Sequence, residues 1–318
     1  MVFSSLLFLY AFFPLSLLAY VAVPGKYAKN VILLVFSLIF YAWGEPVYVL
    51  LLMFMALVSW FCALRVQCGT AEKRKLWLTL SCVVDIALIG YFKYAGLICS
   101  VFGTVPEAIK SIALPIGISF YTFQLLTYVV DVYRGDAKAQ KSYWNVLLYA
   151  ALFHQCIAGP IVRYKTIDED LFSDCPRQPE VAKGVSRFAA GLAKKVLLAN
   201  PCGALADSIL LPTAALADSA LFGENLEILS NLPITQAWLG MIAYSLQIYL
   251  DFSAYSDMAI GMGNMLGLRY LENFDYPYIS RSITEFWRRW HMSLGTFFRD
   301  YVCIFLWAAA AAALAAPC

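Results

Sequence analysis

Long apolar runs recur along this chain, and they limit its possible folds more than any other feature. A hydrocarbon core about 30 Å thick needs about 20 predominantly apolar residues per helix. Because lipid offers backbone groups no hydrogen bonds, such runs are expected to cross it as helices. In the first half of the chain the runs are residues 3–23, 31–43 (beginning nearer Tyr27 if extended), 47–64, 76–91, 114–132 and 143–162.

The composition supports a membrane environment. The 318 residues are 62% hydrophobic and 14% charged, whereas soluble domains average about 45–50% apolar and about 25% charged. The formal net charge of +2 gives no reason to expect nucleic acid as a partner. The nine cysteines are scattered and form no CxxC pair, so we expect neither a disulfide framework nor a metal site.

The second half of the chain is less uniformly apolar. Residues 232–250 form another clean run, followed by a half-polar stretch at 251–268, and residues 186–209 are either amphipathic or a span with snorkelling lysines. Residues 95–103 are too short to span, so we expect a re-entrant or interfacial segment there. The fold class predicted is an all-α polytopic helical bundle of about eight to nine spans with additional re-entrant or amphipathic helices.

Basic residues lie in alternate loops of the first half. Lys26 and Lys29 follow the first run, residues 65–75 carry four cations after the third, and residues 134–141 carry three after the fifth. The positive-inside rule assigns these loops to the cytoplasm. The first run lacks a basic n-region and a cleavage site, so we expect it to be a span rather than a signal peptide, with the N-terminus extracytoplasmic.

Residues 280–301 concentrate arginines, aromatic residues and one histidine. Ser282 and Glu285 have the spacing of a capping box, which predicts a helix start at this point. If the helix continues, Trp287, Trp290, His291, Leu294 and Phe298 share one face. Arg288 and Arg299 then lie on the adjacent flank. Among apolar neighbours, desolvation should keep the His291 imidazole neutral and basic.

A second polar group lies at residues 247–258, at the end of an apolar run. At helical spacing Asp251, Tyr255 and Met258 share one face, as do Ser253 and Asp257. Polar groups at membrane depth are costly unless they pair or line a cavity. These side chains could therefore orient a substrate or pair with the arginines of residues 280–301. Arg288, Arg289 and Arg299 could also pair with Asp300, meet phospholipid headgroups or contact a donor phosphate.

Three segments together resemble the membrane-bound O-acyltransferase family, in its bacterial branch that acetylates exopolysaccharides such as alginate. They are residues 155–164, residues 247–258, and residues 273–301 with the sequence Phe286-Trp-Arg-Arg-Trp-His291. Residues 1–5 and Phe40-Tyr-Ala-Trp-Gly-Glu-Pro46 are similar to the same branch. The resemblance covers the chain to Val302.

The resemblance implies spans around a central funnel, in which an acyl group passes from a cytoplasmic donor to an extracytoplasmic hydroxyl. It assigns His291 to the catalytic centre of a bacterial cytoplasmic-membrane enzyme. His154 stands where the family usually has proline, and we interpret it as structural. The funnel and substrate-binding residues expected with His291 are Gln247, Asp251, Tyr255, Ser256, Asp257, Asn273, Trp287, Arg288, Arg289, Trp290 and Arg299.

The expected donor is acetyl-CoA or an acyl-carrier thioester, with no bound cofactor. The expected partners are the lipid bilayer and either an extracytoplasmic polysaccharide or an outer-face acetyltransferase. Acyl transfer from a thioester needs a base for the acceptor hydroxyl and a donor to the developing oxyanion, and a neutral imidazole can serve as either. Alternatives are D-alanyl transfer to teichoic acid by the same fold, a transporter or flippase, and a non-catalytic scaffold.

The resemblance ends abruptly after Val302. The family continues with Tyr-Ile-Pro-Leu-Gly-Gly, whereas this chain continues Cys303-Ile-Phe-Leu-Trp-Ala-Ala309 and is then mostly alanine. Codons exist that encode both versions in different reading frames. We therefore expect residues 1–302 to be an O-acyltransferase domain incomplete at its C-terminus, and residues 303–318 to be an aberrant, frameshifted tail. A second family histidine on a later span, regarded as the catalytic base, would be missing, so we expect this polypeptide to be inactive alone.

Overall fold

The computed structural model describes residues 3–101, 103, 106–110, 113–156, 159–172, 178–210, 227 and 229–303. These residues form helices, turns and irregular segments, and no strand occurs in this part of the chain. The small and acidic residues between 210 and 231 predict a loop, and this segment lies almost wholly outside the described residues. So does the predicted aberrant tail beyond Cys303.

The first half of the chain forms helices at the positions of the predicted spans. Three of the described helices, α2 to α4, are long and apolar enough to cross a membrane, and α1 is a shorter apolar helix. The helices are α1 Phe8–Ala22, α2 Lys26–Gly44, α3 Tyr48–Cys68, α4 Ala71–Val101, α5 Glu107–Lys110, α6 Ile118–Arg134 and α7 Tyr143–Ala151.

Of the two predictions for residues 95–103, the re-entrant segment is wrong, and the interfacial position stays a prediction. Helix α4 runs 31 residues from Ala71 to Val101 and passes through a π-helical turn at Gly90–Tyr94. No proline interrupts this stretch, and Gly90 itself keeps right-handed helical dihedrals. The apolar residues after Tyr94 therefore extend the fourth span.

The sixth predicted run, residues 143–162, is only partly helical. Helix α7 ends at Ala151, and Leu152 has ψ 113°. The backbone N–H of Phe153 then donates to Ser37 Oγ of α2 at 3.2 Å, so it has a partner outside a helix. The Tyr149 hydroxyl donates to the carbonyl of Val162 at 2.8 Å and holds the returning chain against α7.

The fifth run also begins later than predicted. Gly117 adopts φ 75° immediately before α6, which starts at Ile118. That left-handed conformation is one that glycine adopts without the steric cost of a Cβ atom. The sequence Pro115-Ile-Gly-Ile-Ser119 would tolerate a kink or a broken helix, but the structure places a helix start there, and α6 is 17 residues long.

In the second half one long helix replaces two predicted segments. The span at residues 232–250 and the half-polar stretch at 251–268 form a single 33-residue helix, about 50 Å long at 1.5 Å per residue. It ends at Gly267, which has φ 82°. The helices here are α8 Tyr164–Ile167, α9 Val181–Ala193, α10 Asn200–Leu210, α11 Ile234–Leu266, α12 Ile283–Arg289 and α13 Met292–Phe297.

Helices α9 and α10 are joined by a π-helical turn at Lys194–Ala199 and both pack along α11. Their direction is antiparallel to α11, because Gly184 contacts Gly261, Gly191 contacts Ala254, and Gly203 contacts Gln247. Small residues let helix backbones approach closely, which is a common basis of helix association in membranes. The polar residues of α11 are therefore placed opposite the cations of residues 187–195.

An aromatic cluster attaches α1 to the rest of the molecule. Phe8 and Phe12 of α1 pack against Phe40 of α2 and Phe153, with ring centroids 5.5–6.4 Å apart. Such pairs contribute about 0.5–1.5 kcal/mol each beyond their buried area. Most residues of this cluster belong to the first seven helices, as do most residues of the larger core formed by α3, α6 and α7.

Candidate active site

Residues 280–301 begin with the predicted capped helix. The Ser282 hydroxyl accepts a hydrogen bond from the Glu285 backbone N–H at 3.1 Å, which starts α12. The Glu285 carboxylate reaches back to the backbone N–H of Arg281 at 3.0 Å, one residue before the position that the capping box predicts. Backbone and Arg289 donors lower the pKa of Glu285.

The prediction that this helix continues through His291 is wrong. Helix α12 ends at Arg289, Trp290 is extended, and His291 adopts the left-handed conformation with φ 43° and ψ 55°. Two backbone hydrogen bonds to an earlier segment replace the helical ones: Asp275 N–H donates to the Arg289 carbonyl at 3.0 Å, and Met292 N–H donates to the Asn273 carbonyl at 2.9 Å.

The break separates the side chains that a continuous helix would align. His291 is 7% exposed, whereas Trp287 is 60% exposed and Phe298 is 44% exposed. The single aromatic face predicted for residues 287–298 therefore does not form. A local periodicity argument cannot detect this, because the hydrogen bonds that end α12 come from residues 14 to 19 positions earlier in the chain.

His291 lies among three phenylalanine rings. The centroid of Phe252 lies 4.8 Å from that of the imidazole, edge to face, and the Phe274 and Phe120 rings stack at 6.3 Å. Its Nδ1 lies 3.0 Å from Asn273 Oδ1. Burial lowers the pKa of His291 to about 4, because the charged imidazolium loses its hydration in this surrounding. The imidazole is thus neutral near pH 7.

A cavity of about 540 Å³ lies beside this cluster. Phe274, whose ring contacts the imidazole, and Met292, the residue after His291, both form part of its wall. The His291 ring itself is not part of that wall. The lining also includes Arg187 and Lys194, and polar side chains of α11 and of the segment after it, among them Ser253, Ser256, Asp257, Glu272 and Asp275.

A charge network holds one side of the cavity together. The Asp257 carboxylate accepts hydrogen bonds from Arg187 Nε at 2.9 Å and from Lys194 Nζ, and its side chain is 13% exposed. Arg187 also donates to Glu272 at 2.6 Å. The network therefore joins α9, α11 and the segment that precedes Asn273.

The remaining predicted residues of α11 lie on other faces of the helix. Asp251 pairs with Lys195 at 2.6 Å. The Tyr255 hydroxyl donates to the Cys156 carbonyl at 2.6 Å, and its ring stacks on Phe3 at 4.4 Å. Gln247 faces Gly203 of α10. Of the predicted α11 residues, the structure brings Ser256 and Asp257 to the cavity and directs these three elsewhere.

The arginines predicted for the site are mostly engaged locally. Arg289 pairs with Glu285 at 3.0 Å and Asp275 at 3.2 Å, while Arg299 pairs with Asp300 at 2.7 Å. Arg288 is exposed. Asp251 and Asp257, considered above as partners for these arginines, instead pair with residues 187, 194 and 195. The Trp290 ring packs against those of Phe274 and Phe286, with centroid distances of 5.1 and 5.5 Å. It therefore contacts Phe274, one of the rings around His291.

Several residues at this site escaped the sequence reasoning. Phe252 and Phe274 enclose the imidazole, and Ser293 donates to Asn273 Oδ1 at 2.8 Å. Arg187 and Lys194 hold Asp257. The last two had a usable signal, since they are seven residues apart and so share one face of an amphipathic helix. Ser293 had none, because its role depends on a partner 20 residues away.

Comparison with known protein families gives separate evidence on the chain as a whole. The family model of the membrane-bound O-acyltransferases matches residues 33–308. The chain is 41% identical over 315 residues to the "probable alginate O-acetylase AlgI" of Pseudomonas aeruginosa, which covers 96% of this chain and 57% of the relative.

Two other relatives extend the comparison. The peptidoglycan O-acetyltransferase of Helicobacter pylori is 30% identical over 341 residues, covering 96% of this chain and 61% of its own length. The teichoic acid D-alanyltransferase of Streptococcus thermophilus is 32% identical over 194 residues, covering 59% of this chain and 43% of its own. The chain spans about three fifths of the length of the curated relatives that it matches.

Proposed function

The chain belongs to the membrane-bound O-acyltransferase family, and from that premise we propose that it serves acyl transfer to an extracytoplasmic polysaccharide, with His291 at the reaction centre. The observation that carries the proposal is the position of His291. A neutral imidazole lies among phenylalanine rings beside a cavity whose wall includes its chain neighbour Met292. A neutral imidazole can take the proton of a hydroxyl that attacks a thioester, or donate to the oxyanion.

The membrane arrangement is part of the proposal. The apolar helices α2, α3 and α4 agree with a polytopic bundle, for which we propose about eight to nine spans around a central funnel. Basic residues cluster at the start of α2, after α3 and after α6. By the positive-inside rule these three regions lie on the cytoplasmic side. The N-terminus would then be extracytoplasmic, in a bacterial cytoplasmic membrane.

The acyl group proposed is acetyl, from acetyl-CoA or an acyl-carrier thioester. Two of the three relatives described above are named as acetyl-transferring proteins, and they match 96% of this chain. The acceptor proposed is a polysaccharide hydroxyl, reached directly or through an outer-face acetyltransferase. D-alanyl transfer to teichoic acid is the second candidate, supported by a relative that matches 59% of the chain.

The proposal is tested in membrane vesicles. The polypeptide ending at Cys318 and a version with the reading frame restored before Cys303 are each supplied with labelled acetyl-CoA and, separately, with a D-alanyl carrier thioester. Acetyl esters on added alginate are measured. We expect transfer of acetyl by the frame-restored version only.

Matched variants decide whether His291 carries the reaction. His291→Gln should abolish transfer, and His154→Gln should retain it if the protein reaches the membrane at the same level. Transfer that survives in His291→Gln would remove His291 from the chemistry, and preferential use of the D-alanyl donor would favour the second candidate. Resequencing that finds no shifted frame downstream of Val302 would overturn the prediction for residues 303–318.

A further inference from the structure

Asn273 stands out because three hydrogen-bonding groups converge on one atom of its side chain. Its Oδ1 lies 3.2 Å from the Ser293 backbone nitrogen, 2.8 Å from Ser293 Oγ and 3.0 Å from His291 Nδ1. Asn273 is 1% exposed. The orientation of this buried amide determines whether each of its partners donates or accepts a hydrogen bond.

The orientation of the amide follows from the donors around it. A backbone N–H can only donate, so the atom that faces Ser293 N is the carbonyl oxygen and not the amide nitrogen. The Ser293 hydroxyl agrees with this orientation: it accepts from the Ile161 backbone N–H at 3.1 Å and donates to Asn273 Oδ1 at 2.8 Å, which is nearer to it than His291 Nδ1 at 3.4 Å.

This orientation determines the tautomer of the histidine. An oxygen without a proton can only accept, so His291 Nδ1 must carry a proton in order to bond with it. In a neutral imidazole the other nitrogen, Nε2, then holds the lone pair. Of the two roles open to a neutral imidazole, this tautomer can accept a proton at Nε2 and cannot donate one from it.

The backbone holds the two residues together. The Met292 N–H donates to the Asn273 carbonyl at 2.9 Å, directly after His291, whose φ of 43° lies in the left-handed region. A non-glycine residue in this region is strained, and such residues cluster at functional sites. The strained residue is thus the one whose side chain meets Asn273.

We propose that Asn273 is a positioning residue that fixes His291 in the Nδ1–H tautomer, so that Nε2 meets the substrate as an acceptor and not as a donor. The proposal rests on the proposed function only where it places Nε2 at the substrate. The tautomer itself is a property of the folded chain and is measured without any substrate.

The chain is well suited to that measurement, because it contains only two histidines, His154 and His291. The protein is produced with ¹⁵N,¹³C-labelled histidine, reconstituted in lipid, and studied by solid-state NMR near pH 7. The His154→Gln variant assigns the two spin systems. We expect a protonated Nδ1 and an unprotonated Nε2 for His291.

Three variants test the role of Asn273. Asn273→Leu removes the acceptor, so His291 should lose the Nδ1–H preference and show a substantial Nε2–H population. Asn273→Asp keeps an acceptor at this position. It breaks no hydrogen bond of Nδ2, because Nδ2 has no partner among the described residues. It should keep Nδ1 protonated and raise the pH at which His291 titrates. Ser293→Ala keeps the backbone N–H and should leave the tautomer unchanged.

An Nε2–H tautomer in the unaltered protein, or an Nδ1–H tautomer that persists in Asn273→Leu, would overturn the proposal. The His154 signals, which report its contact with Tyr270, show whether each variant is folded. If Asn273→Leu fails to fold, Asn273→Asp decides, because an unchanged His291 titration there also contradicts the proposal. Correct tautomers combined with no acetyl transfer by the frame-restored version would instead contradict the proposed function.

Discussion

The backbones of Gly184 and Gly261 are in direct contact where α9 crosses α11. A Cβ atom on Gly184 would lie 2.6 Å from the Gly261 carbonyl oxygen, and one on Gly261 would lie 2.8 Å from that of Gly184. This crossing brings Arg187, one turn further along α9, to Asp257 one turn earlier on α11. The cavity beside His291 therefore depends on two residues that have no side chain.

We predict that Gly184→Ala destabilises the protein. The added methyl group meets backbone atoms that cannot move aside, and overpacking of this kind costs about 1–3 kcal/mol. The measurement is thermal unfolding in mild detergent, with Gly96→Ala as the matched control, since none of the described residues lies within 4 Å of a Cβ atom at Gly96. Equal midpoints for the two variants would show that the helices separate there without cost.

Asp257→Asn should also lower stability, by about 1–3 kcal/mol. The substitution leaves Arg187 and Lys194 without their shared carboxylate, and these cations are only partly exposed, so the cost should lie between those of exposed and fully buried pairs. Asp275→Asn is the control, because the Asp275 side chain is 56% exposed and its pair should contribute at most about 1 kcal/mol. A larger effect at Asp275 than at Asp257 would contradict this assignment.

The start of α12 should depend on Ser282. Ser282→Ala removes the hydroxyl that accepts from Glu285 N–H and should cost about 1 kcal/mol. Faster hydrogen exchange at the amides of residues 283–286 would report it. Ser282→Asp supplies another capping oxygen and should restore protection; equal exchange in the two variants would show that the cap does not hold α12.

The pH dependence of stability should include a contribution from His291. Burial lowers its pKa in the folded protein to about 4, while the unfolded chain titrates near 6.5. Between these values the unfolded state binds more protons, so stability should fall as pH decreases from about 6.5 towards 4. The His291→Gln variant should lose less stability over this range, measured by unfolding midpoints at each pH. An identical decline in both proteins would assign the effect to other groups.

Local patterns predicted some parts of this site well. The Ser282 cap depends on residues three positions apart, and its spacing is readable in one dimension. The burial of His291 was predicted as well, but from the wrong neighbours, because the rings that exclude water belong to Phe120, Phe252 and Phe274. In contrast, the end of α12 could not be predicted, because a helical period extrapolates smoothly through Trp290 and nothing local interrupts it.

The sequence by itself determined that this protein lies in lipid and where its apolar helices lie along the chain. Both follow from the composition of runs of about 20 apolar residues. It also determined the family, through residues in a fixed order. Only the tertiary structure decided which polar side chains meet. Asn273 and His291 are 18 residues apart, Arg187 and Asp257 are 70 apart, and such pairings follow from how α9, α11 and the segment after α11 pack. The tautomer of His291 belongs to this second class, because it is set by an amide that the fold brings to it.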